Sequence, residues 1–306
     1  MNKKIQKTTN FRIDYSMENP SKPDETDWIE KSTYLVSESE YDNNGNLILA
    51  KTYGSTGDIN EHYKYIYNEK NQMVHEINFF DDNEIVEERF CTYNDSGKIA
   101  EEKVAYQEGG ENIINYFYDE LGNLIKRQQC DVDGNIEELE LFEFEGGKLK
   151  KNILFNDENK EVSRHEFSYD ENGNLLRNSF YSAEANENFV MENFYNEKGI
   201  REKSLRYNSK EQLVEKVIYT IDENENISEI IEEDTKSIKK TRFTYDQNNK
   251  VIKQEEFNNN DELLSNIERT FNDDGKLAES LVFIQNPVEN IRQMYASKYE
   301  YIYFDE

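Results

Sequence analysis

Along most of the chain apolar residues alternate with polar ones in short runs that stop at Asp, Asn or Gly. The segment HYKYIY sets Tyr63, Tyr65 and Tyr67 on one face of an extended strand, because successive side chains of a strand point to opposite sides. Phe142 with Phe144, Phe167 with Tyr169, and Phe243 with Tyr245 repeat the arrangement. After each turn comes an apolar pair, such as Leu47-Ile48, Met73-Val74, Leu124-Ile125 or Leu277-Ala278. Further on stands another apolar anchor: Tyr53, Phe79, Phe155, Phe180, Phe257 or Phe283, with Cys130 in that place in its own unit. Apolar residues do not recur every three or four positions, as a helix requires. The pattern predicts strands throughout.

The strands come in register. An aromatic residue followed by Asp or Asn stands at Tyr41, Tyr67, Tyr93, Tyr118, Phe144, Tyr169 and Tyr195, in steps of 25 or 26 residues, and again at Tyr245 and Phe271. Ile221 of IDENENI divides the one long gap, and a period this steady marks tandem repeats. The fifth residue of the unit is Gly45, Gly97, Gly122, Gly173, Gly199 or Gly275, with Asn71 and Asn249 in two units and Asn19 in the first. FEGGKL reaches the same point one residue early, at Gly147. Gly and Asn tolerate positive φ, and Asp followed three residues later by Gly signals a type I turn closed by a G1 bulge. Asp42, Asp119 and Asp170, each with its glycine, are read as hairpin-turn residues joining antiparallel strands. A second, more variable connection leads into the next unit, as in YGSTGDINEHY.

The expected fold is all-β: tandem hairpin repeats of about 26 residues in an elongated, twisted antiparallel meander or superhelical ribbon. No composition shift cuts the array, so residues 1–306 read as one repeat array. Residues 1–40 form a cap and atypical first unit, 41–280 the repeats, and 281–306 a second cap. Asn19 to Asp27 hold two of the three prolines, and Trp28, the only tryptophan, follows directly. Exposed strand edges are expected near both ends.

Composition narrows the function. With 65 acidic against 36 basic residues the net charge is -29, which disfavours nucleic acid and anionic membranes as partners. A basic protein partner is the electrostatic expectation. Hydrophobic residues are only 35% of the chain, so the core should be thin, while 21 Tyr and 17 Phe in register argue for a folded chain. Cys91 and Cys130 have no ligand or disulfide-framework spacing. The first residues lack the apolar stretch of a secretory signal, and a cytoplasmic location is expected.

FSYDENGNLL from Phe167 and YFYDELGNLI from Tyr116 resemble the YD repeats of RHS-type proteins, whose pattern is YxYDxxGxL. A weaker resemblance runs to the YwqK-type, MORN-like antitoxin repeats, which also place an aromatic, an Asn-Gly turn and a Leu in that order. Both resemblances imply a β-repeat scaffold of bacterial toxin and immunity systems. The unit here is longer than the usual YD unit, and no RHS core or autoproteolytic segment is recognisable.

Candidate chemistry is sparse. DVDGN (Asp131 to Asn135) and DENGN (Asp170 to Asn174) suggest calcium at first sight, yet most copies lack the closing Glu and offer too few oxygens. His62, His75 and His165 match no zinc spacing, although His62 and His75 flank one turn. There is no nucleophile elbow, P-loop, HExxH or Rossmann fingerprint, and the many carboxylates single out no catalytic pair. No catalytic residue, cofactor or metal is expected. Two charge runs offer a candidate partner surface: Glu232, Glu233 and Asp234 in one, and Glu84, Glu87 and Glu88 in the other, with Trp28 as an aromatic contact. Tyr53, Tyr106 and Tyr181 are candidates for a sugar- or protein-binding strip. The leading expectation is a non-enzymatic protein-binding scaffold of the immunity or antitoxin-like kind that binds a basic partner. An RHS-derived surface adhesin binding glycan or protein is the alternative.

Overall fold

A computed structural model describes residues 4–17, 28–81, 83–185, 187–286 and 291–305. These residues form twenty-two β-strands and no helix. The first are β1 (Ile5–Met17), β2 (Trp28–Tyr41), β3 (Leu47–Tyr53), β4 (Ile59–Tyr67), β5 (Met73–Phe79) and β6 (Ile85–Tyr93). There follow β7 (Ile99–Tyr106), β8 (Glu111–Tyr118), β9 (Leu124–Cys130), β10 (Ile136–Glu145), β11 (Lys148–Asn156) and β12 (Glu161–Tyr169). Next come β13 (Leu175–Ser182), β14 (Glu187–Tyr195), β15 (Arg201–Asn208), β16 (Leu213–Ile221) and β17 (Ile227–Asp234). The last are β18 (Ile238–Tyr245), β19 (Val251–Phe257), β20 (Leu263–Phe271), β21 (Leu277–Asn286) and β22 (Ile291–Tyr303). The all-β, antiparallel meander of tandem hairpins expected from the alternation is what the chain forms.

Two compact units divide it, residues 1–88 with 239–306, and residues 89–238. In the second unit β7 to β17 pair in chain order, each antiparallel to the next. In the first, β18 to β22 pair in order, and so do β1 to β5. β1 also pairs along its length with β22, with Thr8 opposite Tyr301 and Arg12 opposite Ser297. Beyond the strands, the Phe304 amide donates to the Lys4 carbonyl at 3.0 Å. This corrects the expectation of exposed edges at the two ends: the first and last strands satisfy each other's backbone groups, which removes both templates for edge pairing. The proline-rich segment 19–27 lies outside the described residues. Trp28 stands edge-on to Phe283 at 6.3 Å, inside the first unit.

The turns follow from local chemistry. The Asp42 amide donates to the Asn46 carbonyl, and the Gly45 amide to the Asp42 carbonyl, each at 2.9 Å. Asp42 Oδ1 accepts the amides of Asn44 and Asn46, while Asn46 Nδ2 donates to Oδ2. One carboxylate thus satisfies three donors of a five-residue loop, leaving Gly45 at φ +90°, where a side chain is strained. The register slips between Glu40 and Tyr41, so Tyr41 faces Leu47 across a bulge.

The second connections, which vary so much in sequence, have the same geometry. The Asn156 amide donates to the Lys160 carbonyl, the Asn208 amide to the Gln212 carbonyl, and the Asn258 amide to the Glu262 carbonyl, each at 3.0 Å. The positive-φ place is taken there by Asn159, Glu211 and Asp261. Turns opening at Asp42, Gly54, Asn68, Phe80, Asn94 and Tyr106 stand 12, 14, 12, 14 and 12 residues apart. The elementary unit is therefore one strand and one turn, and the 26-residue period is a long and a short strand taken together. Not every described turn keeps this rule: the Asp234 amide donates to the Ser237 carbonyl, only three residues on. Glu145 pairs with Lys148 around Gly146 and Gly147, both at positive φ, which makes a two-residue hairpin loop in place of the expected bulged turn.

Hairpins are tied to one another through the repeat tyrosines. The hydroxyls of Tyr67, Tyr118, Tyr169, Tyr195 and Tyr301 donate to the carbonyls of Leu47, Ile99, Leu149, Leu175 and Leu277 at 2.8–2.9 Å. Each acceptor is the first residue after the preceding turn of that series. The core is as thin as the composition suggests: Phe79, Cys91, Val104, Ile114, Cys130, Val282 and Ala296 are the buried hydrophobic residues among those described. Rings fill part of the remainder, as where His165, Phe180 and Phe189 contact in sequence across β12, β13 and β14 at 4.5 and 5.1 Å.

Candidate interaction surface

The two charge runs do not form strips. Strand geometry sends Glu232 and Glu233 to opposite faces. Glu233 pairs with Lys216 at 3.3 Å, and Glu232 lies across from Val217. Asp234 closes a turn, accepting the amides of Lys236 and Ser237, which holds its carboxyl below the usual carboxylate range. Glu84 donates its amide to Asp81 Oδ1 and so belongs to a turn. Glu88 bonds His75 Nε2 at 3.0 Å, and the charge of Glu87 reaches Tyr63. The structure therefore brings none of these triplets together, and Trp28 stands with Phe283.

The remaining candidates are placed as follows. His62 is buried, stacked on Phe79 at 4.5 Å, with Nδ1 3.1 Å from the Asp81 carbonyl. His62 and His75 lie opposite Phe79 and Ile66, about 13 Å apart along the strand direction at 3.3 Å per residue. Among the described residues no group of His, Cys, Asp or Glu could hold a metal ion. Tyr53 donates its hydroxyl to Glu38 at 2.8 Å, and Tyr106 is 42% exposed beside the turn that it opens.

A different acidic feature emerges from the turns. The residue after the leading Asp or Asn is Asp95, Glu120, Glu171, Glu197 and Glu223 in the second unit, and each is exposed. None of the five has an ion pair among the described residues. These turns close alternate strand pairs of one meander, so they share one edge of that unit. Two strand spacings, roughly 10 Å, separate neighbours, except between Glu120 and Glu171, where the Gly146–Gly147 turn intervenes and doubles the gap. Behind them, the turn carboxylates Asp119 and Asp170 are held below the usual range, first by the side-chain amides of Asn123 and Asn174 and then by turn backbone amides. Leu121 adds an apolar side chain, 84% exposed, next to Glu120. The row was legible in the sequence as an acidic second position at the 26-residue period. No contiguous run of charge marks it, since its members stand a full repeat apart.

Lysines brace turns of this kind in each unit. Lys98 Nζ reaches the Gly122 carbonyl and stands over the Tyr118 ring at 5.1 Å. Lys250 reaches the Gly275 carbonyl at 2.6 Å and the Phe271 ring at 4.7 Å. Each lysine links its own turn to the next, so consecutive tips in such a pair are fixed relative to one another.

No family model matches the chain, and no curated protein matches it. Solved structures are similar at low identity. A TcdB2–TccC3 complex is 12% identical over 87% of this chain and 16% of that chain, with a TM-score of 0.45. The Tc holotoxin pore of Photorhabdus luminescens is 12% identical over 83% and 15%, with a TM-score of 0.42. A porin-like protein from Bacteroides uniformis is 10% identical over 96% of both chains, with a TM-score of 0.30. The chain spans about a sixth of the toxin chains, and TM-scores under 0.5 assign neither a family nor an activity.

Proposed function

We propose that this protein is a non-enzymatic repeat scaffold whose acidic turn edge binds a basic protein, in the manner of an immunity or antitoxin-like factor. The observation that supports the reading is the row Asp95, Glu120, Glu171, Glu197 and Glu223: exposed, without ion pairs among the described residues, and set along one edge of the second unit. Carboxylates already paired with lysines have little to offer a partner, whereas a pre-positioned unpaired row attracts cations without the cost of ordering side chains on mobile loops. Net charge of -29 adds long-range attraction for a basic partner and raises its rate of encounter.

The test is capture of partners from an extract of the native host at low and at moderate salt. One variant carries Glu120→Lys, Glu171→Lys, Glu197→Lys and Glu223→Lys. A control carries Glu108→Lys, Asp133→Lys, Asp157→Lys and Glu184→Lys, which make the same charge change at the opposite turns. A basic protein captured by wild type and by the control, and lost from the first variant, is the expected result. Equal loss from both variants would reduce the effect to net charge, and capture of no basic protein would defeat the reading.

A further inference from the structure

We propose that Asn172 is a site of spontaneous deamidation, converted to aspartate and isoaspartate through a succinimide formed with Gly173, and that Lys148 promotes the reaction. The chemistry needs no partner protein. Two Asn-Gly pairs occur in the chain, Asn44-Gly45 and Asn172-Gly173, at the same places of two primary turns. Glycine after asparagine leaves the attacking amide nitrogen without a side chain in front of it. The letters of the two pairs are alike, and their surroundings are not.

At the first pair the asparagine is held. Asn44 Nδ2 donates to Asn71 Oδ1, in the next turn of its series, at 2.9 Å, so turning this amide towards the Gly45 nitrogen costs a hydrogen bond. No atom lies within 4 Å of the place where a Cβ on Gly45 would stand. Asn172, by contrast, is exposed, and its side chain makes no hydrogen bond among the described residues. The Lys148 ammonium lies 2.9 Å from the place of a Cβ on Gly173 and is held 5.3 Å over the Tyr169 ring. Both turns hold the attacking amide in the same way, Gly45 on the Asp42 carbonyl at 2.9 Å and Gly173 on the Asp170 carbonyl at 3.1 Å. Opening that bond is therefore common to both.

The steps balance without an enzyme. Hydroxide removes the Gly173 amide proton, and the nitrogen attacks Asn172 Cγ, forming a C–N bond while the carbonyl π pair moves to Oδ1. Collapse of this oxyanion breaks the Cγ–Nδ2 bond, and Nδ2 leaves as ammonia after taking a proton from water. Water then opens the ring. Attack at Cγ gives aspartate, and attack at the backbone carbonyl carbon gives isoaspartate, with the chain running through Cβ. Negative charge develops first on the Gly173 nitrogen and then on Oδ1, and a neighbouring ammonium stabilises both. Glu171 acts in the opposite sense, but it is exposed and screened, whereas Lys148 is half-buried and held beside the glycine. Either product places a new carboxylate next to Glu171. Isoaspartate also lengthens the backbone of a loop that Asp170 Oδ1 closes on the Asn174 amide at 2.8 Å.

Ageing the full chain at mildly alkaline pH tests the proposal. Timed samples are digested and read by mass spectrometry with electron-transfer fragmentation, which detects the gain of about 1 Da and separates aspartate from isoaspartate. Asn172 should react about tenfold faster than Asn44. Lys148→Gln keeps the length of the side chain, removes its charge, and should slow Asn172 about fivefold while leaving Asn44 unchanged. Asn71→Gly suits the positive φ of that place and should speed Asn44 by about fivefold. If Lys148→Gln does not fold, moderate salt added to the wild type takes its place and should slow Asn172 but not Asn44. The proposal is overturned by no product at Asn172, or by Asn44 reacting as fast. It is equally overturned by an Asn172 rate indifferent to the lysine and to salt, or by an Asn44 rate unchanged in Asn71→Gly.

Discussion

The hydroxyl of Tyr169 donates to the carbonyl of Leu149, 2.8 Å away and twenty residues earlier in the chain. The tyrosine of one hairpin collects the carbonyl that follows the preceding turn of its series. Tyrosine at this place thus makes a bond between repeats, which phenylalanine at 144 and 271 cannot make.

Tyr169→Phe should cost about 0.5–1.5 kcal/mol, the net worth of one hydrogen bond, without changing the fold. Tyr67→Phe, in the other unit, should cost a similar amount, and the double variant should be close to additive because the two sites share no partner. Urea denaturation followed by circular dichroism measures this. A double variant no weaker than either single one would show that the bonds do not tie hairpins together.

Gly173→Ala should destabilise more than an exposed turn glycine ordinarily would. The residue sits at φ +93°, and a Cβ there would lie 2.9 Å from Lys148 Nζ. The expected loss is about 1–2 kcal/mol from the left-handed conformation, with displacement of the lysine in addition. Gly45→Ala, where nothing lies near the added carbon, isolates the conformational part. The difference between their urea midpoints reports the brace.

Acid should weaken the fold through the turns. Asp42, Asp119, Asp131, Asp170 and Asp246 all titrate below the ordinary carboxylate value, the first four chiefly because a side-chain amide of the turn donates to them and Asp246 because the Lys250 amide does. A depressed folded-state pKa means that the unfolded chain takes up protons first. The contribution is complete above the unfolded value of about 3.9 and is lost as pH falls through the lower folded values. Asn68, Asn94, Asn196 and Asn272 already stand at the equivalent place and accept the same amides. Changing the five aspartates to asparagine should therefore keep the turns and flatten the acid limb of a stability–pH curve below the unfolded value of about 3.9.

At the other extreme, Tyr65 is pushed up to about 12, first by burial and then by the charge of Glu76. A raised folded-state value stabilises below the unfolded value of about 10, and that contribution disappears as pH rises towards 12. Ultraviolet titration should show one tyrosinate signal near pH 12 that is missing from Tyr65→Phe. An unchanged titration would place the residue in contact with water.

Much of this structure was legible because its turns are local. Asp42 with Gly45, or Asp170 with Gly173, fixes a five-residue loop through one carboxylate and one positive φ, so composition at those places reports the conformation. Where other residues meet the same requirement, as Glu211 and Asp261 do, the pattern in the letters fails although the geometry persists. Local chemistry cannot say which side chains meet across strands.

The sequence alone therefore determined the strands, the primary turns, the period and the thinness of the core, all of which depend on contacts within a few residues or on alternation. Only the tertiary structure decided that β1 closes against β22, that Tyr169 reaches Leu149, and that Glu233 is paired while Glu223 is free. It also set the Lys148 ammonium beside Gly173. The physical reason is distance along the chain: these pairings depend on register between strands that lie from a dozen to nearly three hundred residues apart, and no short stretch of sequence encodes such a register by itself.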